Sequence, residues 1–124
     1  MPPSPYAPDL PSLDPERVEM LRELCLDAGP DALHEMLGSW ESEAARHLAE
    51  AQAALAKADL PALKASAHSI KGSCSNMGIV RLSELGRQLE HHSADPSISS
   101  ELLTQMGAEF ERAKGLLSEL TAQT

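Results

Sequence analysis

Aromatic residues are nearly missing from this 124-residue chain, which holds only Tyr6, Trp40 and Phe110. Positive charge is scarce as well: 10 Lys and Arg stand against 19 Asp and Glu, for a formal net charge of −9. A surface so poor in rings and cations repels a phosphate backbone and gives bases little to stack on, which argues against nucleic-acid binding. No apolar run approaches the roughly 20 residues that span a bilayer, and no secretory signal opens the chain, so direct membrane contact is not expected. Cys25 and Cys74 fall on apolar helix positions without a metal-type pairing, and two reduced, buried thiols are expected. No stretch with the strand period competes with the helical pattern. The length suits one domain with a single core and leaves no room for a kinase catalytic module beside it.

Proline is abundant only at the start, where residues 1–13 hold five of the nine. With φ fixed so often and so few donors free, this stretch reads as an extended leader or linker, with Leu10 and Leu13 placed to pack against the bundle. Residues 14–124 read as one helical domain. Asp14, Pro15 and Glu16 supply an N-cap, a first-turn proline and a first-turn acid. A short helix comes next with Val18, Leu21, Leu24 and Cys25 inward, until Gly29-Pro30 stops it. A second helix over about residues 31–57 carries Leu33, Leu37, Trp40, Ala44, Leu48, Ala51 and Leu55 at steps of three and four. Asp59 caps a third, with Leu60, Leu63, Ala67, Ile70 and Cys74 as its apolar stripe. After Ser75-Asn76-Met77-Gly78 a fourth helix, about 79–93, buries Leu82, Leu85 and Leu89. Asp95-Pro96-Ser97 breaks the chain, and a last helix beginning between 97 and 101 buries Leu103, Met106, Phe110, Ala113, Leu117 and Leu120. The pattern predicts an all-α, up-and-down antiparallel four-helix bundle with an additional short N-terminal helix and a mainly aliphatic core. Each helix can bury its single stripe in its own bundle, so a monomer is expected.

The informative stretch is Ala67-His68-Ser69-Ile70-Lys71-Gly72-Ser73-Cys74-Ser75-Asn76-Met77-Gly78, the second half of the third helix and the turn after it. At about 100° per residue His68 lies off the apolar stripe, on an outward face with Lys64, Ala65, Lys71, Gly72 and Ser75. A neutral imidazole is a fair nucleophile near neutral pH. Lys71, one turn on, can bring a mobile positive charge to a group carried on the ring, and Lys64, one turn back, adds to the field. Gly72 weakens its helix by about 1 kcal/mol relative to alanine, and access to His68 is the reason it suggests. Such a site needs only an exposed nucleophile and a local positive potential to carry a phosphoryl group.

These residues, with Leu82, Leu85, Leu89 and Glu90 after them, resemble the signature of histidine-containing phosphotransfer (HPt) domains, the helical phosphoryl carriers of phosphorelays. The resemblance implies a carrier that is not an enzyme, with His68 as phosphoacceptor, Lys71 stabilising the phosphoryl charge and Gly72 giving steric access. The implied donors and acceptors are receiver-domain aspartates, the partners being response-regulator receiver domains and a hybrid sensor kinase. Mg²⁺ is expected in the receiver and no cofactor on this chain. Lys64, Ala65, Ser69 and Ser75 form the expected docking face. Related domains also place a glutamine of the fourth helix near the ring. Gln88 is the one expected there, with Arg81 and Arg87 as other residues of that helix to reach the site, and a solvent-facing Gln88 as the plain alternative.

The expected location is the cytoplasm, whether free-standing or as the C-terminal domain of a membrane-bound sensor kinase. Two other readings compete. A docking module would bind receivers without transferring phosphate, which a functional His68→Ala variant would favour. A dimerisation fragment of a sensor kinase would carry an acid directly after the histidine and a proline a few residues on, but Ser69 succeeds His68 and no proline occurs between His68 and Pro96. The remaining histidines invite little. His34 and His47 are thirteen residues apart on one helix, and His91 and His92 point about 100° apart, a poor chelate. Ser69 and Ser73 can bond back to their own helix. Trp40 reads as a core anchor, and Gly107 and Gly115 have no evident reason in the sequence.

Overall fold

The computed structural model describes residues 10–122, and all regular structure among them is helical. Five helices occur in order: α1 (Pro15–Ala28), α2 (Pro30–Ala56), α3 (Leu60–Asn76), α4 (Val80–His91) and α5 (Pro96–Ala122). Three of these helices start on an aspartate cap, whereas α2 and α4 have no side-chain cap. Asp14 Oδ1 accepts from the Glu16 and Arg17 amides at 3.1 and 3.5 Å. Asp59 Oδ1 accepts from Ala62 at 3.2 Å, and Asp95 Oδ1 from Ile98 at 3.1 Å. Pro96, expected only as a breaker, is the first residue of α5, since the first turn needs no donor there.

Connections of three or four residues, 57–59, 77–79 and 92–95, make consecutive long helices antiparallel. α3 packs against α2 on one side and α4 on the other, and α5 closes the ring against both α2 and α4. This is the up-and-down bundle the periodicity predicts. Its core is aliphatic: Leu63, Ile70, Leu82, Leu85, Leu89, Leu102 and Met106 are all but inaccessible, with Trp40 and Phe110 packed at 5.5 Å between ring centroids.

Two expected core positions are corrected. Leu24 is 62% exposed, because α1 packs along α2, touching α3 through Arg17, and buries only Cys25 fully, with Val18 and Leu21 half-buried. Leu24 lies about 100° round the helix from Cys25, beyond that narrow contact. Leu60 is 43% exposed, since the first turn of α3 projects past the core.

The segment 10–14 fastens the corner between α3 and α4. Leu10 and Leu13 pack against the core, as expected of them, while residues 1–9 of the proline-rich leader lie outside the described residues. The Val80 amide donates to Ser12 O at 3.0 Å and the Asp14 amide to Gly78 O at 2.8 Å. Arg81 donates to Leu10 O through Nε and Nη2, and Arg17 Nε caps the end of α3 at Asn76 O, 3.0 Å away. Gly78 has φ +71°, and a Cβ there would come within 2.8 Å of the Arg17 side chain. No helix among the described residues is long and apolar enough to cross a membrane.

Candidate functional site

α3 is held on both flanks, so its outward face is a rigid platform. His68 stands in its middle with 66% of the side chain exposed. The ring is not surrounded only by small residues and ammonium groups, as the sequence suggests. Glu90, in the last turn of α4, brings one carboxylate oxygen to His68 Nδ1 and the other to Lys71 Nζ, each at 3.0 Å. Glu90 is only 22% exposed and Lys71 32%, so the bridge lies partly sheltered beneath the ring. The Lys71 hydrogen bond, and after it the contact with His68, hold the Glu90 carboxyl below its ordinary value of 4.5 despite some burial.

The bridge fixes the chemistry of the ring. An ionised carboxylate only accepts hydrogen bonds, so Nδ1 must carry the proton. In the neutral imidazole the lone pair then sits on Nε2, the nitrogen turned away from the carboxylate. His68 is thus an exposed base or nucleophile with an anion behind it, the arrangement by which a carboxylate orients an imidazole in catalytic triads.

The other expected site residues are spread over the outward face of α3 and over α4. Lys64 is exposed and makes no ion pair among the described residues. Ala65 and Ser69 line a shallow groove of about 400 Å³ between α2 and α3, whose rim carries Glu50, Lys57 and Asp59. Ser69 also borders a second groove of about 430 Å³ with Met36, Glu43 and His47. Ser75 and Gly72 are exposed, and a Cβ on Gly72 would meet nothing within 4 Å. Ser73 Oγ donates back to Ile70 O, as its place in the helix suggests.

Gln88 sits elsewhere. Its amide donates to Glu84 at 3.3 Å on its own helix, about 200° round α4 from Glu90. Arg87 pairs with the same Glu84 at 2.6 Å, and Arg81 belongs to the corner fastened by residues 10–14. The fourth-helix group that meets the ring is therefore Glu90. The sequence carries two signals for it: Glu90 belongs to the run that carries the family resemblance, and it comes directly after Leu89 at the edge of the buried stripe. Which edge faces α3 depends on the handedness of the bundle, which periodicity leaves open.

Both cysteines are free and buried, and burial pushes the Cys74 thiol up to about 11, which leaves it protonated and unreactive at neutral pH. His91 and His92 meet edge to face, 4.8 Å between centroids. Among the described residues no three His, Cys, Asp or Glu side chains gather as a metal would require.

Comparison with known proteins bears on the family and the fold. The family model of the Hpt domain matches residues 35–120. The crystal structure of histidine-containing phosphotransfer protein B from Pseudomonas aeruginosa PAO1 superposes with a TM-score of 0.80 at 28% sequence identity, covering 94% of this chain and 99% of that one. No curated protein sequence matches.

Proposed function

The chain belongs to the Hpt domain family, and from that membership we propose that it carries a phosphoryl group on His68 between receiver-domain aspartates. It is a phosphotransfer protein of two-component signalling. The observation that carries the finer reading is the bridge itself: an exposed imidazole whose Nδ1 is occupied by Glu90, which leaves Nε2 as the nitrogen for chemistry.

In the forward step Nε2 attacks the phosphorus of an aspartyl phosphate. The N–P bond forms as the P–O bond to the aspartate breaks, and the aspartate leaves as a carboxylate. Attack by a neutral ring leaves positive charge on the imidazole, and Glu90 faces the Nδ1 proton where that charge develops. Return to a second aspartate is the same step reversed. Glu90 is a positioning residue here, since it touches the ring on the side away from phosphorus.

Lys71 sits against Glu90 in the unphosphorylated protein, and its flexible stem lets the ammonium turn toward phosphoryl oxygens once they arrive. Gly72 serves no need inside this protein, because its surroundings are open. Its lack of a side chain makes room for the partner. Lys64, Ala65, Ser69 and Ser75 surround that approach, and Lys64 steers acidic receiver pockets toward it. The receiver supplies the Mg²⁺, and this chain hands on what it receives without turnover of its own.

Incubation with a panel of phosphorylated receiver domains tests the reading. The expected product is an acid-labile, base-stable label that is missing in His68→Gln. A folded wild-type protein that takes no label from receivers able to phosphorylate other Hpt proteins would leave it a docking module.

A further inference from the structure

Glu90 can touch both His68 and Lys71 only if α4 lies at one distance from α3, and two other residues of α4 set that distance. Gly86 precedes Glu90 by four residues and Ser83 by seven, so the three share a face. At Gly86 the helices come closest. A Cβ there would lie 3.2 Å from both Ala67 O and Lys71 N, and 3.5 Å from Ile70 Cγ2. The first two atoms belong to the backbone of the turn that carries His68, and backbone inside a helix cannot swing aside as a side-chain end does. Three residues earlier, Ser83 Oγ donates to Lys71 O at 2.9 Å. Of the five glycines within helices, Gly86 alone has any neighbour within 4 Å of where a Cβ would stand; Gly38, Gly72, Gly107 and Gly115 have none.

We infer that Gly86 and Ser83 are positioning residues for the His68 site, holding α4 at the spacing from which the Glu90 carboxylate spans Nδ1 and Nζ. A methyl group at position 86 needs a few tenths of an ångström more room. That increment, added to bonds of 3.0 Å, takes them to the edge of hydrogen-bonding distance. The ring then loses the acceptor that keeps its proton on Nδ1, and Nε2 no longer holds the lone pair in every molecule. For its effect on transfer the inference rests on the phosphoryl-carrier reading; for its effect on the ring it does not.

The test reads the ring and the reaction separately. Long-range ¹H–¹⁵N spectra of the full chain at neutral pH report which nitrogen of His68 bears the proton, and transfer from a phosphorylated receiver reports the rate. Gly86→Val is expected to move the His68 tautomer populations toward those of Glu90→Ala and to slow transfer about tenfold, roughly 1.4 kcal/mol. Gly86→Ala and Ser83→Ala are expected to lie between these and wild type, and Gly115→Ala, in open space, to match wild type. If Gly86→Val fails to fold, Gly86→Ala and Ser83→Ala decide. Folded Gly86 and Ser83 variants whose His68 ring keeps the wild-type tautomer would overturn the inference. A wild-type protein that accepts no phosphoryl group overturns the carrier reading instead, and the spectra still decide the spacing.

Discussion

Two glycines flank the same histidine and serve opposite ends. Gly72 lies on the outer face of α3 with nothing inside the protein near it, whereas Gly86 lies in the seam between α4 and α3, pressed on the backbone of the turn that holds His68. Each lowers local helix stability by about the same amount, roughly 1 kcal/mol relative to alanine. The fold gains from one of them only. The seam is the region where interior packing sets the site's dimensions; the outer face is kept bare for a partner molecule. Phosphoryl transfer needs both, because a nucleophile must be held rigidly from behind and left open in front.

Truncating the seam should have the largest effect. Leu85 is fully buried between the helices, and Leu85→Ala should cost about 2–5 kcal/mol of stability in a denaturant titration. The outer face should answer differently. Gly72→Leu should slow transfer about tenfold or more while leaving thermal stability equal or higher, since helix propensity favours leucine and no neighbour resists it. A Gly72→Leu protein that transfers at the wild-type rate would mean the bare face is not used by the partner. Lys71→Ala comes next. It removes the mobile charge and should shorten the phosphohistidine lifetime and lower the transfer rate several-fold, measured by label decay at neutral pH.

The smallest effect separates the regions by pH. The folded Glu90 carboxyl titrates below its unfolded value of 4.5, because Lys71 and then His68 favour its charged form. Its contribution is therefore fully present above 4.5 and disappears as pH falls below that value through the folded one. Being partly exposed, the bridge should be worth about 1 kcal/mol or less. Wild type should exceed Glu90→Gln in stability at neutral pH, with the gap closing in acid, while Gly72 variants show no such dependence.

Much of this was legible without coordinates, and the reasons are local ones. Steps of three and four, with Asp14 and Asp59 as caps and Asp95-Pro96-Ser97 as a break, specify five helices, and the short connections specify their alternation; that Asp95 caps α5 is seen only in the structure. His68, Lys71 and Gly72 declare themselves because they share one helix, where spacing alone fixes relative direction. Residues that meet across helices do not. Gln88 is the expected neighbour of His68 on α4, and only the seam shows that Glu90 lies on the edge of that helix facing α3. Gly86 looks like any helical glycine until the backbone of α3 is seen against it. Leu24 and Leu60 fit an apolar stripe, but periodicity marks which residues could be buried and not where the neighbouring helix ends.

The most direct measurement is the position of phosphorus on the ring. After phosphorylation by a receiver domain, a chain labelled with ¹⁵N-histidine should show ³¹P–¹⁵N coupling to Nε2 of His68, with Nδ1 still bearing the proton that faces Glu90. Phosphorus on Nδ1, or on any residue other than His68, would contradict the account.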